Sequence, residues 1–135
     1  MLISKDIKFD CAHMLSNYEG KCSNLHGHTY HGTVTINGAV DEKSCMVVDY
    51  NTIKSVVDKY DHAIIFSSPE YRNDAETELY EWACRNNMRY LELPFGKSTA
   101  ETMAAIIAEE FSRYGSVTVR LSETDGSWAE AHTCM

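Results

Sequence analysis

The chain has 135 residues, which is too few for several domains but enough to bury a core, so we expect a single domain over residues 1–135. Its formal net charge of −8 argues against a nucleic-acid-binding role, which requires a basic face. No apolar run approaches the ~20 residues of a membrane span, and the first residues lack the apolar segment of a secretory signal. We therefore expect a protein that neither binds nucleic acid nor enters a membrane.

The strand pattern begins near the N-terminus. Residues 7–13 alternate between apolar and polar side chains, as in a half-buried strand, and the apolar side ends in His13. After a loop, residues 25–37 alternate in the same way, with His26 and His28 on the core-facing side. The histidines are thus in phase with the core-facing residues of both strands, and we expect them to converge.

The middle of the chain contains shorter elements. A brief apolar strand is predicted at residues 45–48, followed by Asp49 as the N-cap of a helix over residues 50–60. A second helix is predicted over residues 74–87 and a strand over residues 89–93.

The last part begins with residues 98–101 (Ser-Thr-Ala-Glu), which read as a capping box for a long helix to about Tyr114. An alternating strand over residues 117–123 and a turn at residues 125–126 lead into a final strand near residues 127–133. This order of elements predicts an α+β fold with helices on one face of an antiparallel sheet.

The five cysteines are odd in number and lack the spacing of a disulfide framework. We therefore expect a reducing, cytoplasmic environment. Cys11, Cys45 and Cys84 are interpreted as buried free thiols, and Trp82 and Trp128 as core residues.

The His-Gly-His motif is the strongest chemical signal. Residues two apart share one side of a strand, and Gly27 places no side chain on the other side. With His13 from the neighbouring strand, His26 and His28 form a set of three imidazoles that suits Zn²⁺ and leaves its fourth position open. We predict that these three histidines bind zinc.

Cys22 lies four residues before His26 and allows two interpretations. As a fourth ligand it would close a structural site, giving a zinc-stabilised binding module without enzymatic activity. As a free thiolate it would act beside a zinc ion with an open position. Structural zinc sites usually contain two or more thiolates, which favours catalysis but leaves both interpretations open.

Two further positions carry carboxylates or imidazoles suited to chemistry. Asp61-His62 pairs a carboxylate with an imidazole for proton transfer, although a histidine at a helix end is also common without any catalytic role. Glu123 ends an otherwise apolar strand face, where it serves either a structural salt bridge or a ligand's N–H groups. His31 and His132 fall on other faces and are predicted to be exposed.

Six motifs in one characteristic order span nearly the whole chain. They are Phe9-Asp10-Cys11-Ala12-His13, Cys22-Ser23-Asn24-Leu25-His26-Gly27-His28, Val48-Asp49-Tyr50, Asp61-His62, Thr99-Ala100-Glu101, and Glu123-Thr124 with Ser127-Trp128-Ala129-Glu130. On these motifs the chain resembles the 6-pyruvoyl-tetrahydropterin synthase family, and within it the bacterial branch that acts in queuosine biosynthesis. The chain departs from the family pattern at Tyr60, where leucine is common, and at Ser98, where proline is frequent.

The resemblance implies the tunnelling fold, with a four-stranded antiparallel sheet and two main helices on one face. The helix near residues 74–87 would be an insertion. Members of the family assemble into rings, usually hexamers, with active sites between subunits, so the resemblance also implies a homo-oligomer.

The resemblance further implies roles for individual residues. Zinc would be held by His13, His26 and His28, Cys22 would be the catalytic base, Asp61 and His62 would complete the proton relay, and Glu123 would anchor the pterin ring with Thr99 and Thr124 nearby. Lys21 is a candidate phosphate contact.

The implied activity is that of a zinc-dependent lyase. It converts 7,8-dihydroneopterin triphosphate to 6-carboxy-5,6,7,8-tetrahydropterin, acetaldehyde and triphosphate. The alternative within the family is formation of 6-pyruvoyl-tetrahydropterin, in which triphosphate is eliminated without side-chain cleavage.

Overall fold

The computed structural model describes residues 1–134 and contains six strands and three α-helices. The strands are β1 (Leu2–His13), β2 (His26–Asn37), β3 (Ala63–Phe66), β4 (Tyr90–Glu92), β5 (Ser116–Thr124) and β6 (Ser127–Thr133). The helices are α1 (Tyr50–Asp58), α2 (Asp74–Arg85) and α3 (Ala100–Glu110).

All six strands belong to one mixed sheet in the order β4-β3-β1-β2-β5-β6. The strands β1, β2, β5 and β6 are antiparallel neighbours, whereas β3 pairs in parallel with both β1 and β4. The α+β class is confirmed, but the expected four-stranded antiparallel sheet is wrong. Residues 63–66 form a short apolar run whose period identifies neither helix nor strand, and no hairpin turn joins them to a partner.

The core lies between one face of the sheet and the helices α1 and α3. Phe9 of β1, Val34 of β2 and Val119 of β5 point into it and are buried, as are Ile53 of α1 and Met103 of α3. Both helices carry apolar residues three or four positions apart, so each buries a single stripe. The two main helices therefore share one face of the sheet, as expected.

Helix α2 covers the opposite face. Ile64 and Phe66 alternate with the core-facing Ala63 and Ile65, so they point outward on the other side of β3. On that side the Phe66 ring meets the Tyr80 ring of α2 at a centroid distance of 5.2 Å. The sheet is thus a middle layer at this end of the molecule, between the core helices and α2.

Several predicted elements or boundaries are wrong. Strand β1 begins at Leu2 and not at residue 7, and α3 ends at Glu110 and not at about Tyr114. Residues 45–48 form no strand, because the backbone turns back at Cys45, whose N–H donates to Asp41 at 2.8 Å. The apolar character of this segment reflects Val47 and Val48, which pack into the core from a loop. The N-cap of α3 is Thr99, one residue later than the predicted capping box begins.

Four expected core residues lie at the surface. Trp82 and Trp128 are exposed, and so are Cys45 and Cys84, whereas Cys11 is buried. Trp128 lies on the edge strand β6, where the Arg120 guanidinium stacks 3.5 Å from its ring centre. His31 and His132 are exposed as predicted. Within residues 1–134, no helix is both long and apolar enough to cross a membrane.

Candidate metal centre

Strand register brings the three histidines to one end of the core-facing side of the sheet. His13 pairs with His26 across β1 and β2, and Cys11 pairs with His28. Residues directly opposite one another on antiparallel strands share a face, so all three imidazoles lie on the side that carries the core. The alternation in the sequence predicted this convergence.

One ring nitrogen from each histidine lies within 4.8 Å of the other two. The Nε2 atoms of His13 and His26 are only 3.1 Å apart. Among residues 1–134, this is the one group of three or more His, Cys, Asp or Glu side chains with such spacing. The arrangement has the number and type of donors found in three-nitrogen metal sites.

Backbone carbonyl oxygens fix two of the three rings. The Nδ1 atom of His13 donates to the carbonyl of Ser98 at 2.5 Å, and that of His26 donates to the carbonyl of Asn24 at 2.6 Å. A carbonyl oxygen can only accept a hydrogen bond, so both Nδ1 atoms carry the proton in the neutral rings. The Nε2 lone pairs are therefore left facing each other, as in histidines that ligate a metal.

The electrostatics of the group favour the uncharged imidazoles that metals require. Burial is the main cause that lowers the pKa of His13, and the neighbouring His26 and His28 lower it further. The pKa of His28 is also lowered, chiefly by burial, although Glu123 opposes the shift. The Nε2 atom of His28 is buried and has no hydrogen-bond partner among the described residues. These residues fit a divalent cation, which would satisfy all three lone pairs.

Glu123 lies at the edge of this group. Its Oε1 atom is 3.3 Å from Nε2 of His28 and 3.7 Å from Nε2 of His13, and it accepts a hydrogen bond from the Tyr30 hydroxyl at 3.3 Å. Its side chain remains 31% exposed, so the carboxylate faces both the histidines and the solvent. It can therefore accept hydrogen bonds from a ligand that approaches the metal position.

Cys22 lies in a single 3₁₀ turn (Lys21–Ser23) within the loop between β1 and β2. Its carbonyl accepts from the N–H of Leu15 at 2.9 Å, which closes the loop just beyond His13. The side chain is half-buried, and its sulfur is not part of the three-histidine group. Lys21 is exposed.

Asp61 and His62 form a close pair in the turn between α1 and β3. The Oδ2 atom of Asp61 is 2.9 Å from Nδ1 of His62, while its Oδ1 atom accepts from the N–H of Asp10 at 2.9 Å. That N–H bond, followed by the interaction with His62, holds the pKa of Asp61 below its usual value. The exposed His62 borders a cavity of about 420 Å³ together with the outward-facing Asp10 and Thr29. His62 therefore faces the outward side of β1 and β2, whereas the three histidine rings lie on the core-facing side. His28 also borders this cavity.

The remaining predicted residues have structural contacts of their own. Thr99 caps α3 by accepting from the N–H of Thr102, and Thr124 is exposed at the end of β5. Sequence reasoning missed the carbonyls of Ser98 and Asn24 as partners of the histidines. A main-chain acceptor leaves no trace in residue type, so no signal could have revealed them.

With its α+β fold and three converging imidazoles, the chain is a domain that can hold a divalent metal through nitrogen ligands. Residues 2–134 match the family described as 6-pyruvoyl tetrahydropterin synthase, and the chain belongs to this family of pterin synthases. The resemblance drawn from the sequence motifs is confirmed.

Curated relatives agree with this assignment. The chain is 35% identical to the 6-carboxy-5,6,7,8-tetrahydropterin synthase of Haemophilus influenzae, over 95% of this chain and 96% of the relative. It is 32% identical to the putative 6-carboxy-5,6,7,8-tetrahydropterin synthase of Pyrococcus abyssi, with coverage of 91% and 84%.

Solved structures share the fold. The 6-pyruvoyl tetrahydropterin synthase of Plasmodium falciparum aligns with a TM-score of 0.65 at 20% identity and covers 100% of this chain and 98% of its own. The Caenorhabditis elegans enzyme of the same name aligns with a TM-score of 0.59 at 24% identity, with coverage of 98% and 95%.

Proposed function

We propose that the protein is a zinc-dependent lyase that converts 7,8-dihydroneopterin triphosphate to 6-carboxy-5,6,7,8-tetrahydropterin, acetaldehyde and triphosphate in queuosine biosynthesis. The names of the curated relatives support the 6-carboxy product. The observation that carries the proposal is the convergence of three imidazoles, with one nitrogen of each within 4.8 Å of the others and two Nδ1 atoms already bonded to carbonyls.

His13, His26 and His28 would hold the zinc ion. When bound there, zinc would supply Lewis-acid polarisation of the substrate's side-chain hydroxyl oxygens at an open coordination position. The fit rests on donor chemistry, since imidazole suits zinc and the three histidines each offer a nitrogen within the same spacing.

Cys22 would act as the base that removes a proton from the substrate side chain. A thiolate is the form of cysteine that removes a proton in such a step. Its sulfur lies outside the three-histidine group, which supports a free thiol over a fourth ligand. The same observation weighs against the interpretation as a zinc-stabilised binding module.

Glu123 would orient the pterin ring. Its carboxylate faces the metal position and is partly open to solvent, so it can accept hydrogen bonds from the amino and ring N–H groups of a pterin. Thr99 and Thr124 are proposed to lie near the same ligand.

Asp61 and His62 would provide the second proton-transfer group, with Asp61 fixing the His62 ring through Nδ1 and leaving Nε2 free. Because His62 faces outward on its own chain, beside Asp10 and Thr29, we propose that the pair serves the histidine site of a neighbouring copy. This requires a homo-oligomer, for which a hexameric ring is the proposed form.

Product analysis tests the proposal. The purified protein, loaded with zinc, is incubated with 7,8-dihydroneopterin triphosphate, and the products are identified by mass and by an assay for acetaldehyde. Equal amounts of 6-carboxy-5,6,7,8-tetrahydropterin and acetaldehyde are expected. Formation of 6-pyruvoyl-tetrahydropterin without acetaldehyde would establish the alternative reaction, and recovery of unchanged substrate would contradict both.

A further inference from the structure

The inserted helix α2 carries a buried carboxylate far from the histidines in sequence. Glu76 is fully buried, and among residues 1–134 no cation forms a salt bridge with it. It lies in the first turn of α2, where the helix dipole favours a negative charge. The helix dipole does not explain which groups are bonded to the two oxygens of Glu76.

Each oxygen of Glu76 accepts a hydrogen bond from a different segment. Oε2 accepts from the N–H of Ser67, which directly follows β3, at 2.7 Å. Oε1 accepts from the hydroxyl of Ser16, in the loop between β1 and β2, at 2.6 Å. Both serines are buried, so these bonds are shielded from water and fix the segments firmly.

The Ser67 branch continues to a histidine of the metal centre. The N–H of Ser98 donates to the Ser67 hydroxyl at 3.0 Å, and the Ser98 carbonyl accepts from Nδ1 of His13 at 2.5 Å. Ser98 is fully buried, so its position depends on these bonds and on the bond from its hydroxyl to the Met14 carbonyl. A continuous chain of hydrogen bonds thus links Glu76 to the ring of His13.

The Ser16 branch reaches the loop that carries Cys22. The Ser16 carbonyl accepts from Nζ of Lys97 at 3.1 Å, and the adjacent Leu15 N–H donates to the carbonyl of Cys22 at 2.9 Å. The loop is therefore held at its start by the same carboxylate that is linked to His13.

We propose that Glu76 is a positioning residue that sets the His13 ring through Ser67 and Ser98 and sets the Cys22 loop through Ser16. The inference rests on the proposed function, in which His13 binds zinc and Cys22 is the base. It gives α2 a part in the chemistry, because Glu76 of this helix bonds to both branches.

The two branches are separable by substitution. Ser67→Ala removes the acceptor for the Ser98 N–H and leaves the Glu76 bond to the Ser67 backbone in place. Ser16→Ala removes the other branch, and Glu76→Met removes both at similar volume. Ser68→Ala is the matched control, since Ser68 is an equally buried neighbour whose hydroxyl bonds to Glu70 and Gly96 instead.

Zinc affinity of the metal-free variants is measured by competition with a chromogenic chelator, together with the absorption spectrum of the Co²⁺ forms. Ser67→Ala is expected to bind zinc about ten-fold more weakly and to alter the Co²⁺ spectrum, as substitutions behind a ligating histidine do. Ser68→Ala is expected to stay within about two-fold of the unsubstituted protein. If Ser67 had a purely structural role, Ser67→Ala and Ser68→Ala would both lower the melting temperature. Zinc affinity and the Co²⁺ spectrum would then be unchanged in both variants.

Steady-state kinetics with 7,8-dihydroneopterin triphosphate tests the loop branch. Ser16→Ala is expected to lower kcat about ten-fold with zinc affinity and KM unchanged, because it displaces the base and not the binding site. Glu76→Met is expected to combine both defects. Should it fail to fold, the two serine variants decide the question alone.

Normal zinc affinity in Ser67→Ala and normal kcat in Ser16→Ala would overturn the inference while the unsubstituted enzyme remains active. Absence of both zinc binding and turnover in the unsubstituted protein would instead overturn the proposed function. The two failures are therefore distinct.

Discussion

The Nε2 atom of His28 lies 3.3 Å from the Oε1 atom of Glu123, so a carboxylate stands directly beside the three imidazoles. The two residues come from neighbouring strands, β2 and β5, and Tyr30 of β2 donates to the same oxygen. This places the proposed pterin anchor next to the proposed zinc position. A ligand held by Glu123 would therefore lie beside the three imidazoles.

Glu123→Gln is expected to weaken substrate binding by ~1–3 kcal/mol, because the amide cannot accept every hydrogen bond that the carboxylate accepts from the pterin. The measurement is the dissociation constant of the substrate or of a product pterin by calorimetry. Glu130→Gln on the exposed strand β6 is the control and should bind normally. Unaltered affinity of Glu123→Gln would contradict the proposed role of Glu123 as the pterin anchor.

The placement of His62 on the outward face predicts complementation between subunits. Cys22→Ala and His62→Ala are each expected to be inactive alone. Mixed oligomers of the two should regain about a quarter of full activity, because random assembly places both native residues at that share of interface sites. Mixed oligomers that stay inactive would show that both residues of a site come from one chain.

Thiol chemistry distinguishes a free Cys22 from a ligated one. Cys45, Cys84 and Cys134 are exposed and are first replaced by serine. In that background iodoacetamide is expected to label Cys22 in the zinc-loaded protein, with activity lost in parallel, as mass spectrometry of the peptides would show.

Cys11 is the internal reference for this labelling experiment. It is buried beside Asp10, and burial raises the pKa of its thiol to about 12, so it should stay unlabelled in the folded protein. Labelling of Cys22 that begins only after zinc is removed would instead identify its sulfur as a ligand.

The close approach of β2 and β5 predicts an effect on stability. A Cβ atom at Gly32 would lie 1.9 Å from the carbonyl oxygen of Arg120, so a side chain there forces the two strands apart. Gly32→Ala is expected to lower the free energy of unfolding by ~3 kcal/mol in urea denaturation. Gly126→Ala, whose Cβ would meet nothing within 4 Å, should change it by less than ~0.5 kcal/mol. Equal stability of the two variants would contradict the strand register.

The convergence of the histidines could be predicted from the sequence because strand parity is a local property. His26 and His28 share a face with Tyr30, and His13 shares one with Phe9, so burial of the apolar residues carries the imidazoles with them. That the three histidines bind zinc stays a prediction.

What the sequence could not supply depends on contacts between distant residues. The Ser98 carbonyl meets His13 across 85 positions of the chain, and it does so through a backbone atom that every residue type possesses. Strand β3 could not be predicted from the sequence, because its pairing with β1 is parallel and forms only in the folded sheet. The outward position of Trp128 follows from its place on an edge strand, which hydrophobicity alone does not reveal.

The metal content of the reconstituted protein tests the central claim most directly. After removal of metals with a chelator and reloading, elemental analysis is expected to find one zinc ion per chain, and none in His26→Ala or His28→Ala. His31→Ala is the control, since this exposed histidine lies on β2 with its side chain on the other face, and it should retain the full amount. Stoichiometric zinc in the His26 or His28 variant, or none in the unsubstituted protein, would contradict the account.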